Sequence, residues 1–376
     1  MRSTDTFAVT NNVLDWSKLE RHAEAACRPV SLDMRTVCES ILLLLPNRDD
    51  AEQVDLMVVV SPDVPHSLFL DDTYIHRILM NLLSNALKFT RSGFILLLIA
   101  MEQNNLVATV KDTGSGIPPS FLPRLFEPFT QAQVRGSQRG TGLGLSIIKQ
   151  LLHKMKGSIH VDSKHTDTAE IGPGQTGSTF TITIPVQLSE SPQISQEATL
   201  DRPSIAIVGG ENERSVQGLR IAWEAFGYDV EVFEDSFNLP DSDWKYIWVD
   251  ISYLKENPTK LQQLVNRDKT PVLIPYDTQG SLKQFPEMQS ASHFITIQKP
   301  LIWHSFEQRI ASSKEPSNNI LTKAVTFAPT VEVLDREYKE QLQEETMTRQ
   351  PVILLVEDNP VLLAYPCLQI MELIRI

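Results

Sequence analysis

A stripe of polar side chains runs along one predicted helix of this 376-residue chain. Within residues 71–90, apolar residues recur at steps of three and four, which is the period of a buried helix face. On the opposite face, steps of four, four and three align Arg77, Asn81, Asn85 and Lys88. An ordinary solvated face would also carry two amides and two cations, so the stripe alone leaves its role open.

The sequence D-T-G-S-G, which begins at Asp112, stands where a predicted strand ends. A carboxylate at that place can accept a hydrogen bond from an exocyclic amine, and Gly114 and Gly116 would let the backbone approach a ring closely. A plain Asx-type turn would have the same sequence, so two interpretations remain for this motif.

The sequence G-T-G-L-G opens another predicted helix through Gly140, Gly142 and Gly144. The free N–H groups and the dipole at a helix N-terminus suit a phosphate group. Alone, this motif is weak evidence, because many helix starts look the same.

The order of these motifs is far more specific than any one of them. An N-x-x-x-N-A helix, D-x-G-x-G at a strand end, F-E-P-F, and G-T-G-L-G-L opening a helix follow one another. This set resembles the ATP-binding catalytic domain of histidine kinases, in the superfamily shared with gyrase, the Hsp90 chaperones and MutL. The resemblance covers residues 28–186, and residues 1–27 look like the end of a dimerisation helix.

The resemblance implies a role for each residue of the polar stripe. Asn85 would ligate a Mg²⁺ ion that bridges the phosphates of ATP, with Asn81 beside it, and Lys88 would meet phosphate as a point charge. ATP-hydrolysing relatives carry a glutamate at the place of Asn81 as general base. An asparagine cannot take a proton from water, so phosphoryl transfer to another nucleophile is favoured over hydrolysis.

The resemblance also implies that Asp112 binds the adenine amine, while Gly114 and Gly116 let the base approach. Phe126 and Phe129 would anchor a mobile lid, about residues 113–139, that closes over the nucleotide.

In the same family, Gly140, Gly142 and Gly144 would hold phosphate through backbone N–H groups, and Thr179 is a further candidate for nucleotide contact. None of the eight histidines stands in the sequence context of a phosphoacceptor. The acceptor is therefore expected on dimerisation helices supplied by a longer chain or in trans.

A second predicted domain follows a polar linker at residues 187–203. Strands alternate with helices over residues 204–312, which predicts a doubly wound α/β domain. It resembles a receiver domain, with Asp250 at the acceptor place and Lys299 before a proline. Gly209 and Gly210 stand where the acidic pair of a receiver should be, which favours a degenerate, regulatory pseudo-receiver.

A second linker is expected at residues 313–349. Residues 350–376 look like the truncated start of another receiver, with Glu357 and Asp358 as its acidic pair.

The elements that must position these residues predict an α/β fold. The first domain is expected to be an α/β sandwich, a mixed sheet with helices on one face, and the doubly wound domain follows it. The net charge of −13 argues against a general affinity for nucleic acid or anionic membranes. Three scattered cysteines and the absence of a long apolar run predict a cytoplasmic protein without a membrane segment.

The predicted function is therefore the catalytic ATP-binding part of a hybrid sensor histidine kinase, resembling the cytosolic fungal type. Its partners would be the histidine-bearing helices and receiver or phosphotransfer proteins, with a homodimer for the full-length protein. A non-catalytic module that docks on a partner kinase through the pseudo-receiver is the alternative. An ATPase of the gyrase or chaperone kind is a weaker one.

Overall fold

The computed structural model describes residues 27–45, 54–131, 141–165, 176–186, 202–209, 213–234, 239–240, 242–265, 270–276, 285, 288, 293–303 and 306. All of them fall within the first of two compact units, Met1–Ile320, and the second unit is Leu321–Ile376. The predicted dimerisation helix, most of both linkers and the truncated receiver lie outside the described residues.

The elements of residues 27–186, here called the N-terminal part, follow the predicted order closely. Its strands are β1 Val30–Leu32, β2 Val54–Val60, β3 Leu68–Leu70, β4 Gly93–Glu102, β5 Asn105–Asp112, β6 Ser158–Lys164 and β7 Gly177–Pro185. Its helices are α1 Met34–Leu44, α2 Asp72–Phe89 and α3 Gly144–Lys154, with a short 3-10 turn at Leu122–Arg124.

The elements of residues 202–306, here called the middle part, alternate between strand and helix. They are β8 Ser204–Val208, α4 Glu213–Ala225, β9 Asp229–Phe233, β10 Tyr246–Val249, α5 Ile251–Glu256, α6 Pro258–Val265, β11 Val272–Tyr276, β12 Phe294–Gln298 and β13 Leu301–Ile302.

The N-terminal part is built on a six-stranded mixed sheet in the order β13-β2-β4-β5-β7-β6. β2 lies parallel to β4 and β13, whereas the pairs from β4 to β6 are antiparallel. One face of this sheet packs on α1, α2 and α3 through a buried apolar cluster. The mixed α/β fold predicted from the sequence is confirmed.

Helix α2 carries the polar stripe and begins as the sequence predicts. The side chain of Asp71 accepts a hydrogen bond from the N–H of Tyr74, which caps the first turn. Its apolar stripe is buried at Ile75, Ile78, Leu79, Leu82, Leu83 and Ala86. The polar stripe on the other side is only half-buried, so its side chains remain accessible.

The middle part forms a five-stranded parallel sheet in the order β12-β11-β10-β8-β9. Counted along the chain, this is the order 2-1-3-4-5 of flavodoxin-like doubly wound sheets. α4 packs on one face of it, and α5 and α6 pack on the other.

The structure differs from the sequence-based expectations in two ways at the junction of these parts. The apolar spacing of residues 301–311 predicts a helix, but Leu301–Ile302 pair with β2 as β13. The first sheet was expected to have helices on one face only, but α4 covers the other face at β2 and β4. β4 is apolar from Phe94 to Met101 and β2 from Leu56 to Val60, which suits strands that are buried on both faces.

Candidate functional site

Asp112 ends β5 as a buried carboxylate with 7% of its surface exposed. Its Oδ1 accepts a hydrogen bond of 2.8 Å from the N–H of Gly114, and its carboxylate also accepts one from the N–H of Ser178. Burial raises the pKa of Asp112 to about 6, although both backbone donors act to lower it. The side chain is therefore a desolvated acceptor that is ionised near neutral pH.

The two glycines of this motif occupy places where a side chain does not fit. A Cβ on Gly114 would lie 2.5 Å from the carbonyl oxygen of Phe89, at the end of α2. Gly116 has φ +69°, and its Cβ would collide with the carbonyl oxygen of Lys164. The bond from Gly114 to Asp112 is an Asx-type turn, so this local interpretation is correct, and the turn holds the buried carboxylate beside α2.

Sequence reasoning missed a hydroxyl pair beside Asp112. Ser178 pairs with Asp112 in the β5–β7 register, and its Oγ lies 3.0 Å from the Oγ of Ser163. The Ser163 hydroxyl accepts a 2.8 Å hydrogen bond from the N–H of Ile117. The strand alternation could have revealed it, because Ser178 shares the inward positions of Phe180 and the isoleucines that follow.

The same register places the candidate Thr179 on the other face of the sheet. Thr179 pairs with Lys111 and Asp162, so it lies on the opposite face of the sheet from Asp112. Because successive strand residues alternate between faces, Ser178 is the residue of β7 that lies beside the Asp112 carboxylate.

The polar stripe and the start of α3 come together at one point. A Cβ on Gly144, the first residue of α3, would lie 3.2 Å from Oδ1 of Asn81. Leu143 is the N-cap and gives no side-chain hydrogen bond to the first turn. Asn85 and Lys88 lie one and two turns further along α2, both half-buried. This geometry places the Asn81 amide beside a helix N-terminus, with Asn85 and Lys88 further along the same face of α2.

Phe129, inside the predicted lid, is joined through the backbone to the loop that precedes α3. The N–H of Phe129 donates to the carbonyl oxygen of Gly142 at 3.0 Å, and Gly142 has φ +71°. Phe126 packs half-buried against the core, with Nζ of Lys149 5.9 Å from the centre of its ring. Phe129 is 64% exposed. Gly140 lies outside the described residues.

The receiver-like candidates of the middle part lie at the carboxyl ends of its strands. Nζ of Lys299 is 3.7 Å from Oδ2 of Asp250 but only 2.8 Å from Oδ1 of Asp55 in β2. Gly209 has φ +66°, and Gly210 lies outside the described residues, as do Glu357 and Asp358.

Within the described part of the chain, no cluster of three histidine, cysteine or acidic side chains could hold a metal ion. The same residues include no helix that is both apolar and long enough to cross a membrane.

Comparison with known proteins assigns a domain type to this site. Residues 70–188 match the family described as Histidine kinase-, DNA gyrase B-, and HSP90-like ATPase. The matched segment contains α2, the Asp112 motif, the start of α3 and β7, so the family match and the site coincide. The chain therefore carries an ATPase-type domain of the histidine kinase kind.

The curated relatives are sensor kinases. Sensor histidine kinase RcsC of Escherichia coli (strain K12) is 36% identical over 187 residues, 49% of this chain and 19% of that protein. Hybrid signal transduction histidine kinase A of Dictyostelium discoideum is 37% identical over 170 residues, 41% and 8% of the two chains. Sensor protein TorS of Escherichia coli (strain K12) is 32% identical over 199 residues, 51% and 20%. The chain thus spans a fifth or less of these relatives.

A solved structure shares the fold over a longer stretch. It is the crystal structure of full-length ShkA in complex with AMPPNP, with a TM-score of 0.65 and 22% sequence identity. The match covers 84% of this chain and 64% of that one, so it includes a large share of the middle part as well.

Proposed function

We propose that residues 28–186 bind ATP with Mg²⁺ and act as the catalytic domain of a hybrid sensor histidine kinase. One observation carries the proposal. Asp112 is a buried carboxylate, held by two backbone donors at the end of β5, and its raised pKa marks it as desolvated. Such a group is stabilised by a ligand that donates to it, and the exocyclic amine of adenine is such a donor.

The phosphates would lie where Asn81 meets the start of α3. The Asn81 side chain lies against Gly144 at the first turn of α3, and Leu143 does not cap the N–H groups of that turn with a side chain, so these groups would face the phosphates. Lys88 would add a positive charge further along α2. Gly140 and Gly142, in the sequence that leads into α3, would also hold phosphate through their backbone N–H groups.

The donor set fits Mg²⁺ bound together with nucleotide. Mg²⁺ commonly takes one or two protein oxygens plus phosphate oxygens and water, and Asn85 offers one amide oxygen. The described residues offer no carboxylate cluster that would hold the ion without nucleotide. The ion would neutralise phosphate charge, while Asn85 would orient it.

The proposed reaction is transfer of the γ-phosphoryl group to a histidine. A bond forms from phosphorus to an imidazole nitrogen, the bond to the β,γ-bridging oxygen breaks, and ADP leaves. Asn81 supports transfer over hydrolysis, because an amide cannot accept a proton from water. The histidine would come from dimerisation helices, and residues 204–312 would serve as a pseudo-receiver next to this domain.

Calorimetric titration with the non-hydrolysable analogue AMPPNP, with and without Mg²⁺, tests the binding step. We expect Mg²⁺-dependent binding by the full chain and its loss on Asp112→Asn, which keeps the size of the side chain but removes the charged acceptor. The matched control is Asp162→Asn on the edge strand β6. An Asp112→Asn chain with unchanged affinity would rule out the adenine assignment.

The transfer step needs its own measurement. Radiolabelled ATP should label a histidine-bearing dimerisation helix pair supplied in trans, whereas steady release of phosphate should stay at the background rate. Rapid phosphate release would instead favour an ATPase of the gyrase or chaperone kind. A folded chain that binds no nucleotide would favour the non-catalytic docking module.

A further inference from the structure

The outer face of the first sheet, opposite to α1, α2 and α3, is buried beneath the middle part. Met57, Val59, Phe94 and Leu96 of β2 and β4 are at most 2% exposed, and they share one apolar cluster with α4 and the second sheet. This cluster is a single core that two sheets complete together. The middle part is therefore docked on the ATPase-type domain through the apolar side chains of β2 and β4.

A glycine in α4 permits this close approach. A Cβ on Gly218 would lie 2.6 Å from Cε of Met57 and 2.7 Å from Cγ of Phe94. Glycine weakens a helix interior, so its presence in α4 is explained by the ring of Phe94 that occupies the space of its side chain. Met57 and Phe94 of the first sheet thus both lie against α4 at Gly218.

The same contact continues along the backbone. β13 pairs with β2 in parallel, and the N–H of Trp303 donates to the carbonyl oxygen of Val58 at 3.0 Å. Three tryptophans of the shared cluster, Trp223, Trp248 and Trp303, lie with their ring centres within 6.4 Å of one another. Their indole N–H groups are buried and have no hydrogen-bond partner within the described residues. These three indole N–H groups are therefore kept from water while the two parts are docked, and water would bond to them if the parts separated.

A lysine connects the two parts electrostatically. Lys299 of the middle part is 2.8 Å from Asp55 and 3.7 Å from Asp250, and all three side chains are mostly buried. Asp55 lies directly opposite Phe94 in the β2–β4 register. Lys299, which the receiver resemblance would pair with Asp250, is thus closer to Asp55 of the ATPase-type domain. Asp55 in turn lies beside Phe94, which packs against α4.

Phe94 leads from this interface to the nucleotide site. Its N–H donates to Oγ1 of Thr113 at 2.9 Å, and the N–H of Thr113 donates to the carbonyl oxygen of Phe94 at 3.1 Å. Thr113 directly follows Asp112. One residue therefore packs its side chain on the middle part and fixes with its backbone the loop that holds the proposed adenine acceptor.

We propose that the ion pair of Lys299 with Asp55 is a latch that holds the two parts together. The chain binds nucleotide more tightly when this ion pair is formed than when it is broken. Through Asp55, Lys299 holds the middle part on the outer face, and Phe94 then fixes Thr113 and the Asp112 loop. Asp250 competes for the same ammonium group, so a change of charge at Asp250 alters the latch. The inference rests on the proposed nucleotide site at Asp112.

Titration of full-chain variants with AMPPNP tests the latch. We expect Lys299→Met and Asp55→Asn each to weaken binding about fivefold, and the double variant to be no weaker than either single one, because both remove the same contact. Asp250→Asn should bind at least as tightly as the unchanged chain, because it leaves the ammonium group to Asp55. Lys245→Met, at an exposed lysine of the middle part, is the matched control and should change affinity less than twofold.

Tryptophan emission provides the second measurement. Loss of the latch should shift the emission of the buried cluster to longer wavelength, and saturating AMPPNP should reverse part of that shift, since coupling between two sites is reciprocal. A Lys299→Met chain that melts earlier but keeps its affinity and emission would reduce the lysine to a stabilising contact and overturn the proposal. An Asp250→Asn chain as weak as Lys299→Met would also overturn it, because the lysine would then serve Asp250.

The failure of the latch and that of the proposed function give different results. If the unchanged chain binds AMPPNP and the Lys299 and Asp55 variants bind equally well, only the latch is wrong. If the unchanged chain binds no nucleotide, the proposed function is wrong and the coupling is overturned with it.

Discussion

The carboxylate of Asp112 and the backbone N–H of Gly114 form a hydrogen bond of 2.8 Å inside a buried loop. Two backbone donors surround this carboxylate, yet desolvation outweighs them and raises its pKa to about 6. Its ionisation is therefore coupled both to ligand binding and to folding. A rise in pH should strengthen ligand binding but lower the free energy of unfolding.

Binding of adenosine should weaken as the pH falls below about 6. The ionised carboxylate accepts a stronger hydrogen bond from an amine than the neutral carboxyl group does, and the pKa of about 6 leaves about a tenth of the Asp112 side chains ionised at pH 5. We expect affinity to fall about tenfold between pH 7 and pH 5. Adenosine is the suitable ligand because it has no phosphate to titrate. Constant affinity over this range would show that the carboxylate does not contact the base.

Asp112→Asn should remove a pH dependence of stability. The folded-state pKa is raised from 3.8 to about 6, so protonation favours the folded chain and the contribution is lost as the pH rises through about 6. Relative to the variant, the unchanged chain should lose about 2 kcal/mol of unfolding free energy between pH 4 and pH 7.5. Urea unfolding followed by backbone circular dichroism measures this difference, and parallel curves for the two chains would contradict it.

Gly144→Ala should weaken binding of the phosphates but not of the base. The added Cβ would lie 3.2 Å from Oδ1 of Asn81 and would project into the space before α3. We expect AMPPNP affinity to fall several-fold, while adenosine affinity stays unchanged. Because the φ of Gly144 lies outside the left-handed region, alanine adds no backbone strain there, and stability should not decrease. A parallel loss for both ligands would mean that the substitution distorts the whole site.

Gly116→Ala should destabilise the fold of the loop after β5. The backbone at this position has φ +69°, and a Cβ would collide with the carbonyl oxygen of Lys164, which cannot move without breaking the β6 edge. We expect a loss of about 2–4 kcal/mol of unfolding free energy, from strain and steric overlap together. Ser120→Ala, at an exposed position of the same loop, is the control for thermal unfolding. Equal melting temperatures for the two variants would contradict the steric argument.

Most strands and helices and the order of motifs could be predicted from the sequence because they depend on local patterns. The three-and-four spacing of α2, the alternation in β7 and the glycines after β5 are each set by a few neighbouring residues, and the structure places all of them as expected. The family resemblance also implies that Asn81 and Gly144 lie near the same phosphates, and the structure places the two residues side by side.

The tertiary structure alone decided three features, because each depends on residues far apart in the chain. The β5–β7 register selects Ser178 over Thr179 as the neighbour of Asp112, and a register cannot be read from one strand. The docking of α4 on Phe94 joins residues over a hundred positions apart. Lys299 lies nearer to Asp55 than to Asp250 because β13 joins the first sheet directly after it, and only long-range strand pairing determines that geometry.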